Sequence, residues 1–164
     1  MYFLLFVLQL LPQIKGDIDL TIIGPIEDKI YWDDCLLCIQ HLPKNIKVKY
    51  EGAVNNTLVQ SKIQQNHLYI LPTTGENFGH SIFEAMLAGR PVLISDQTPW
   101  LNLQKAKAGW DLPLNSPGEF ANVIQQTALF SQPEFDVLAK GAWTYANKFI
   151  SNPQLNLPYL KLFA

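Results

Sequence analysis

The sequence predicts an α/β fold, a parallel sheet flanked by helices, and three observations carry that expectation. Short β-branched apolar runs alternate with stretches of helical periodicity, the pattern of βαβ units joined by right-handed crossovers. Apolar residues make up 48% of the 164 residues and charged ones only 16%, so the chain can bury a sizeable core and is not of the disordered class. Eleven prolines and nine glycines punctuate these segments without gathering into a low-complexity linker. A net charge of −2 with scattered lysines gives no basic stripe, which argues against nucleic acid as a partner.

The first segment, "MYFLLFVLQLLPQIKG", has no basic n-region and no small-residue cleavage site. Its apolar run is also far short of the ~20 residues of a membrane span. It reads as a buried helix whose partner strand should precede it. Being apolar all round, it is also compatible with peripheral contact at a membrane face. "IDLTIIG" (Ile18 to Gly24) is a buried strand closed by Gly-Pro, and "DKIYWDDCLLCIQHL" is a helix. Its Cys35 and Cys38 have the spacing of a redox or zinc motif. No second ligand pair follows and no strand feeds directly into it, so the two read as one apolar helix face. Reduced thiols suit a cytoplasmic protein.

"IKVKYEG" (Ile46 to Gly52) alternates as a strand does, and "NNTLVQSKIQQN" is a helix capped by Asn55 or Asn56. "HLYIL" (His67 to Leu71) is a strand stopped by Pro72. The loop "PTTGENFG" leads into the helix "HSIFEAMLAG", ended by Gly89, and then the strand "PVLIS". "LNLQKAKAG" and "GWDLPL" give a helix and a short strand. Two helices follow: "PGEFANVIQQTALF", with Ser116 as N-cap and Pro117 at its first position, and "PEFDVLAKGAWTYANKFI". The apolar, proline-broken tail "SNPQLNLPYLKLFA" is expected to pack across the body.

Parallel sheets bind ligands beyond the carboxyl ends of their strands, near helix N-termini, and the loop after "HLYIL" lies at such an edge. Gly75 and Gly79 let its backbone turn tightly or approach a ligand. The first amides of the following helix, at Gly79, His80 and Ser81, suit a phosphate together with the helix dipole. Glu76 precedes the helix and Glu84 lies eight positions on, about one turn inside it. An ionised carboxylate accepts hydrogen bonds from vicinal hydroxyls, so a phosphate flanked by two carboxylates matches a sugar nucleotide. The same glutamates also fit a plainer reading, in which Glu84 is surface and Glu76 caps the helix or rests at its positive end. The three histidines and the acidic residues show no metal-ligand spacing, so no metal or cofactor is expected.

"GENFGHSIFEAMLAGRPVLISD" resembles the E-x7-E signature of the group 1 (family 4) retaining glycosyltransferases of the GT-B fold. It matches the family pattern at Glu76, Phe78, Gly79, Glu84, Ala85, Met86, Gly89, Pro91 and Val92. "LTIIGP" and "YEGAV" fall in the family's order, so the resemblance spans roughly Leu20 to Ile150. It implies that residues 1–164 form a single Rossmann-like nucleotide-sugar-binding domain, the C-terminal half of a GT-B enzyme. Glu76 would be the catalytic carboxylate, holding donor-sugar hydroxyls. Gly75, Asn77, Phe78, Gly79, His80, Ser81 and Glu84 would bind the rest of the donor, with Glu84 on the ribose and "EGAVNN" near the base.

The implied reaction moves a sugar from a UDP-, GDP- or ADP-sugar to an acceptor hydroxyl with retention and without a metal, as in the synthesis of a bacterial surface polysaccharide. Its transition state would resemble that of glycoside hydrolysis, with helix amides and cations stabilising the leaving diphosphate. The resemblance implies a cytoplasmic site, with peripheral contact on the inner face of the membrane open.

The departures are as informative. The family's N-terminal acceptor domain and the first strand of this half, with its basic loop, have no counterpart here. Arg90 lies past the helix end, and "QTPW" replaces a glycine-rich turn, so that Thr98 and Trp100 either line the cleft or anchor the loop. An exposed apolar surface and self-association would follow. The competing functional reading is a non-catalytic Rossmann-like nucleotide-binding or interaction module. An epimerase of this fold would draw its catalytic groups from the other half, and a nicotinamide dehydrogenase would need a GxGxxG after the first strand.

Overall fold

A computed structural model describes residues 3–152 of the chain, so the tail from residue 153 onward lies outside the described residues. Helix α1 (Phe3–Leu10) runs into a short 3-10 turn at Leu11–Gln13 and then β1 (Ile18–Ile23). Helix α2 (Lys29–Gln40) starts where Asp28 Oδ1 accepts the Tyr31 N–H, and it leads to β2 (Ile46–Gly52). Helix α3 (Asn56–Gln64) is capped by Asn55, whose Oδ1 accepts the Thr57 N–H at 3.0 Å. Next come β3 (Tyr69–Leu71), α4 (His80–Leu87) and β4 (Val92–Ser95). The chain continues through α5 (Leu103–Ala106), β5 (Gly109–Leu112), α6 (Pro117–Thr127) and α7 (Gln132–Ser151).

The elements follow the expected order, with local differences. Strand β3 is three residues long rather than running from His67. Ser116 occupies the N-cap position of α6, but its side chain makes no cap bond; its Oγ meets Asn115 Oδ1 at 3.5 Å. Gly89 ends α4 as expected. Its N–H bonds Met86 O, and the Arg90 N–H bonds Ala85 O.

Among the described residues all strand pairs are parallel, yet they form two sheets rather than one. In the first, β1 pairs with β2, Ile18 opposite Ile46. In the second, β4 lies between β3 and β5, with Ile70, Leu93 and Trp110 in register. Side chains of β4 alternate between two cores, which explains why "PVLIS" reads as a continuous apolar run. Val92 and Ile94 pack toward α4 and α7 with Ile82, Met86, Trp100 and Ala142. Leu93 packs on the other face with Leu8, Leu11, Phe120 and Ile124 of α1, its 3-10 extension and α6. Cys35 joins this second core fully buried, and both cysteines are free thiols, as the one-face reading requires. Several apolar side chains stay on the surface, Ile30 and Leu37 of α2 and Trp143 of α7 among them.

Candidate functional site

The loop after β3 is held by the ends of two strands. Thr73 and Ser95 are wholly buried polar residues at the carboxyl ends of β3 and β4. The Ser95 hydroxyl donates to Thr73 O, and Ser95 Oγ accepts the Gln97 N–H at 3.3 Å. Thr73 Oγ1 in turn bonds Gly75 O at 3.1 Å, and the Glu76 N–H reaches Gln97 O at 3.4 Å. The glutamate loop is therefore stitched to the loop that follows β4.

Trp100 completes that attachment and decides between the two roles expected for it. It is 3% exposed, so it anchors rather than lines. Its indole Nε1–H donates to Phe78 O at 2.5 Å. Its ring stacks on Phe83 at 5.3 Å and meets Phe78 and Phe149 edge-on, both at 5.1 Å. Thr98 is also buried and accepts the Trp100 N–H through Oγ1. The polar residue pair and the aromatic anchor come from far along the chain, so no local spacing pointed to them together.

Gly79 sits at the N-cap of α4 in the left-handed region, with φ +76. A Cβ there would lie 2.9 Å from Ile82 Cδ1 and 3.3 Å from Trp100 Nε1, so glycine is required by both conformation and space. No side-chain cap bond is made at this helix start. The reading of Glu76 as a helix cap is thus not supported. Among the described residues, no hydrogen bond or ion pair engages the side chain of Glu76 or Glu84.

Glu76 is half-buried and Glu84 exposed. Sequence reasoning missed Tyr69, the first residue of β3, whose phenol feels the charge of both carboxylates. The Tyr69 phenol is held above its ordinary value chiefly by burial; the Ser81 hydroxyl beside it opposes this, and the charges of Glu76 and Glu84 reinforce it. Its place was available from alternation, since Tyr69 shares the α4-facing side with Leu71. Ser81 at the start of α4 and Tyr69 both line a cavity of about 710 Å³, while Glu76 and Glu84 do not line it.

The other expected residues fall as follows. Gly75, Asn77 and His80 are exposed, Ser81 and Phe78 half-buried, and the His80 ring lies 4.7 Å from that of Phe78. Arg90 is turned away, its Nη2 donating to Gln64 O and its guanidinium 5.2 Å above the Phe135 ring. Among the described residues no cluster of three or more His, Cys, Asp or Glu could hold a metal ion. No helix among them is long and apolar enough to cross a membrane.

Comparison with known proteins bears on what this site belongs to. Residues 2–128 match the family model "Glycosyl transferases group 1". Among curated proteins, none matches the chain. One similar solved structure is a mutant of TarM from S. aureus in complex with fondaparinux, α-GlcNAc-glycerol and UDP. It shares 21% identity over 98% of this chain and 32% of its own, with a TM-score of 0.67. A second is WaaG, a glycosyltransferase involved in lipopolysaccharide biosynthesis, with 17% identity over 95% of this chain and 41% of its own, at a TM-score of 0.64. The chain therefore spans about a third and two fifths of these two proteins, and at such identities the likeness shows a shared fold. With the family model covering most of its length and a Rossmann-like α/β fold matching GT-B neighbours, the chain belongs to the group 1 glycosyltransferases.

Proposed function

We propose that the segment from Pro72 to Glu84 is the donor site of a sugar-transferring enzyme and that residues 1–164 are its nucleotide-sugar-binding domain. The observation that supports this reading is a pair of carboxylates without hydrogen-bond or ion-pair partners among the described residues, Glu76 on the anchored loop just before α4 and Glu84 within α4. Glu84, one turn into the helix, accepts the ribose hydroxyls. Glu76, on the anchored loop, accepts hydroxyls of the donor sugar near the reacting carbon. The amides at the start of α4, at Gly79 and His80, face the diphosphate, where the helix dipole stabilises negative charge on the leaving group. Gly75 gives the backbone room to close on the donor, the exposed Asn77 offers its side-chain amide to it, and Phe78 and Ser81 fix the loop and helix start that flank it.

The donor is a UDP-, GDP- or ADP-sugar, and transfer to an acceptor hydroxyl proceeds with retention, without a metal. Bound UDP in the TarM complex supports a nucleotide donor, and WaaG's part in lipopolysaccharide biosynthesis supports a surface polysaccharide as product. The acceptor is held by a further, N-terminal domain, and the enzyme works in the cytoplasm, at the inner face of the membrane. The test is turnover by this domain joined to that acceptor domain. Transfer of labelled sugar that falls at least about 100-fold in Glu76→Gln is expected, a loss of the size usual for a group acting at the reacting centre. Donor binding without transfer or donor hydrolysis would instead favour a non-catalytic nucleotide-binding module.

A further inference from the structure

Strands β3 and β4 stop pairing at Leu71 and Ile94, and two buried hydroxyls take over from the ladder there. The chain leaves β3 in a tight turn at Pro72, in which the Thr73 N–H bonds Leu71 O at 2.9 Å. Ser95 catches it just beyond, its hydroxyl donating to Thr73 O. The same Ser95 oxygen accepts the Gln97 N–H at 3.3 Å, and Gln97 O receives the Glu76 N–H at 3.4 Å. Thr73 spans the remaining gap: its Oγ1 donates to Gly75 O at 3.1 Å and accepts the Gly75 N–H at 3.3 Å. The Ser95 hydroxyl therefore reaches Glu76 from two sides, through Thr73 and Gly75 along the glutamate loop and through Gln97 across from it.

We propose that Ser95, with Thr73 as its partner, is a positioning residue that sets Glu76 against the sugar end of the donor, an inference that rests on the donor-site reading above. Both residues are 0% exposed, and a buried hydroxyl is unfavourable unless it is bonded. Alanine and valine would fill a plain core without that demand. A hydroxyl adds one donor and an acceptor at a fixed point, and each of these two uses both on the backbone of the glutamate loop or of the loop that faces it. Other restraints on this backbone are few: Thr74, Gly75 and Asn77 are exposed, and the β3–β4 ladder ends before it. The Trp100 bond to Phe78 O holds the far end of the loop, where α4 begins. The hydroxyl pair holds the near end, at the strands, so Glu76 lies between two fixed points. A carboxylate that must meet particular ring hydroxyls is sensitive to small displacements. The α4 amides assigned to the diphosphate are placed instead by the helix and by Gly79 at its N-cap. Loss of the Ser95 hydroxyl is therefore felt by the sugar and not by the nucleotide.

The test is calorimetry on the full chain with UDP-, GDP- and ADP-linked hexoses, and with UDP, GDP and ADP alone. Ser95→Ala should weaken a donor that wild type binds by about tenfold, and leave its bare nucleoside diphosphate within about twofold. Glu76→Gln should show the same selective loss. The double variant should lose little more than either single one, because Ser95 acts through Glu76. Losses that multiply in the double variant would overturn the proposal. So would an equal loss for donor and nucleoside diphosphate, which marks general loosening, or a Ser95→Ala chain that binds donor as wild type does. If Ser95→Ala does not fold, Thr73→Val and Thr73→Ser decide: the valine variant, lacking the hydroxyl, must show the sugar-selective loss, and the serine variant, keeping it, must not. A wild type that binds no donor, or a Glu76→Gln chain that binds every donor as tightly, removes the donor-site reading and the proposal with it. A loss in Glu76→Gln without one in Ser95→Ala removes the proposal alone.

Discussion

Replacement of Trp100 tests whether the glutamate loop is held in place or merely lies where it does. The indole is 3% exposed and buries on the order of 150–250 Å². At about 25 cal/mol per Å² the transfer contribution is ~4–6 kcal/mol, so Trp100→Ala should cost about 3–5 kcal/mol once the surroundings partly relax. Trp100→Phe separates packing from anchoring, because it keeps a ring against Phe83 and Phe149 but removes the donor to Phe78 O. That variant should lose about 1–3 kcal/mol, from the missing hydrogen bond and a small void. For a chain of this length each kcal/mol lowers Tm by roughly 2–4 °C. Urea unfolding measures the stability, and amide exchange at Glu76 to Gly79 reports the loop itself, which should open more readily in the Phe variant. A Trp100→Phe protein within about 0.5 kcal/mol of wild type, with unchanged exchange at those amides, would refute the anchoring argument.

Gly79→Ala should destabilise by about 2–3 kcal/mol in thermal unfolding, since it forces a Cβ against Ile82 and holds alanine at a left-handed φ; an unchanged Tm would contradict the geometry. Burial raises the Tyr69, Tyr31 and Tyr145 phenols above 10.0. Their contribution to stability is therefore complete below the unfolded value near 10 and is lost as pH rises through the higher folded values. Urea titrations from about pH 8 to 11 should show this alkaline loss, with a shallower slope in Tyr69→Phe; equal slopes would count against burial of that phenol. Alkylation followed by mass spectrometry should label Cys38 well before Cys35, whose thiol is wholly buried and pushed up by that burial. Labelling of Cys35 first would contradict its place in the core.

The parts of this fold that could be read in the sequence are those set by neighbours along the chain. "PVLIS" is apolar at every position because β4 is covered on both faces, and Gly89 ends α4 because a left-handed residue is needed there. Two glutamates eight apart across a helix start were legible as a candidate clamp for the same reason. Long-range facts were not. Periodicity marks β1 and β3 as strands but not whether they touch, so one sheet was expected where the described residues form two. Ser95 and Thr73, 22 positions apart, become partners only once β3 and β4 are side by side. Trp100 could be assigned to the cleft or to the core on composition alone, and its bond to Phe78 settles which. Ser116 shows the converse, a favoured cap residue in the right position whose hydroxyl bonds elsewhere.

The claim on which the functional account rests is that Glu76, Glu84 and the start of α4 form one donor clamp. Titration of the wild-type chain and of Glu84→Ala with UDP-, GDP- and ADP-sugars, followed by calorimetry and by NMR shifts of the Gly79 and His80 amides, tests it directly. At least one donor should bind wild type about 10- to 100-fold more tightly than the variant, the loss expected for hydrogen bonds to a charged group, and should move those amides. If no donor binds wild type more tightly than Glu84→Ala, the clamp is contradicted.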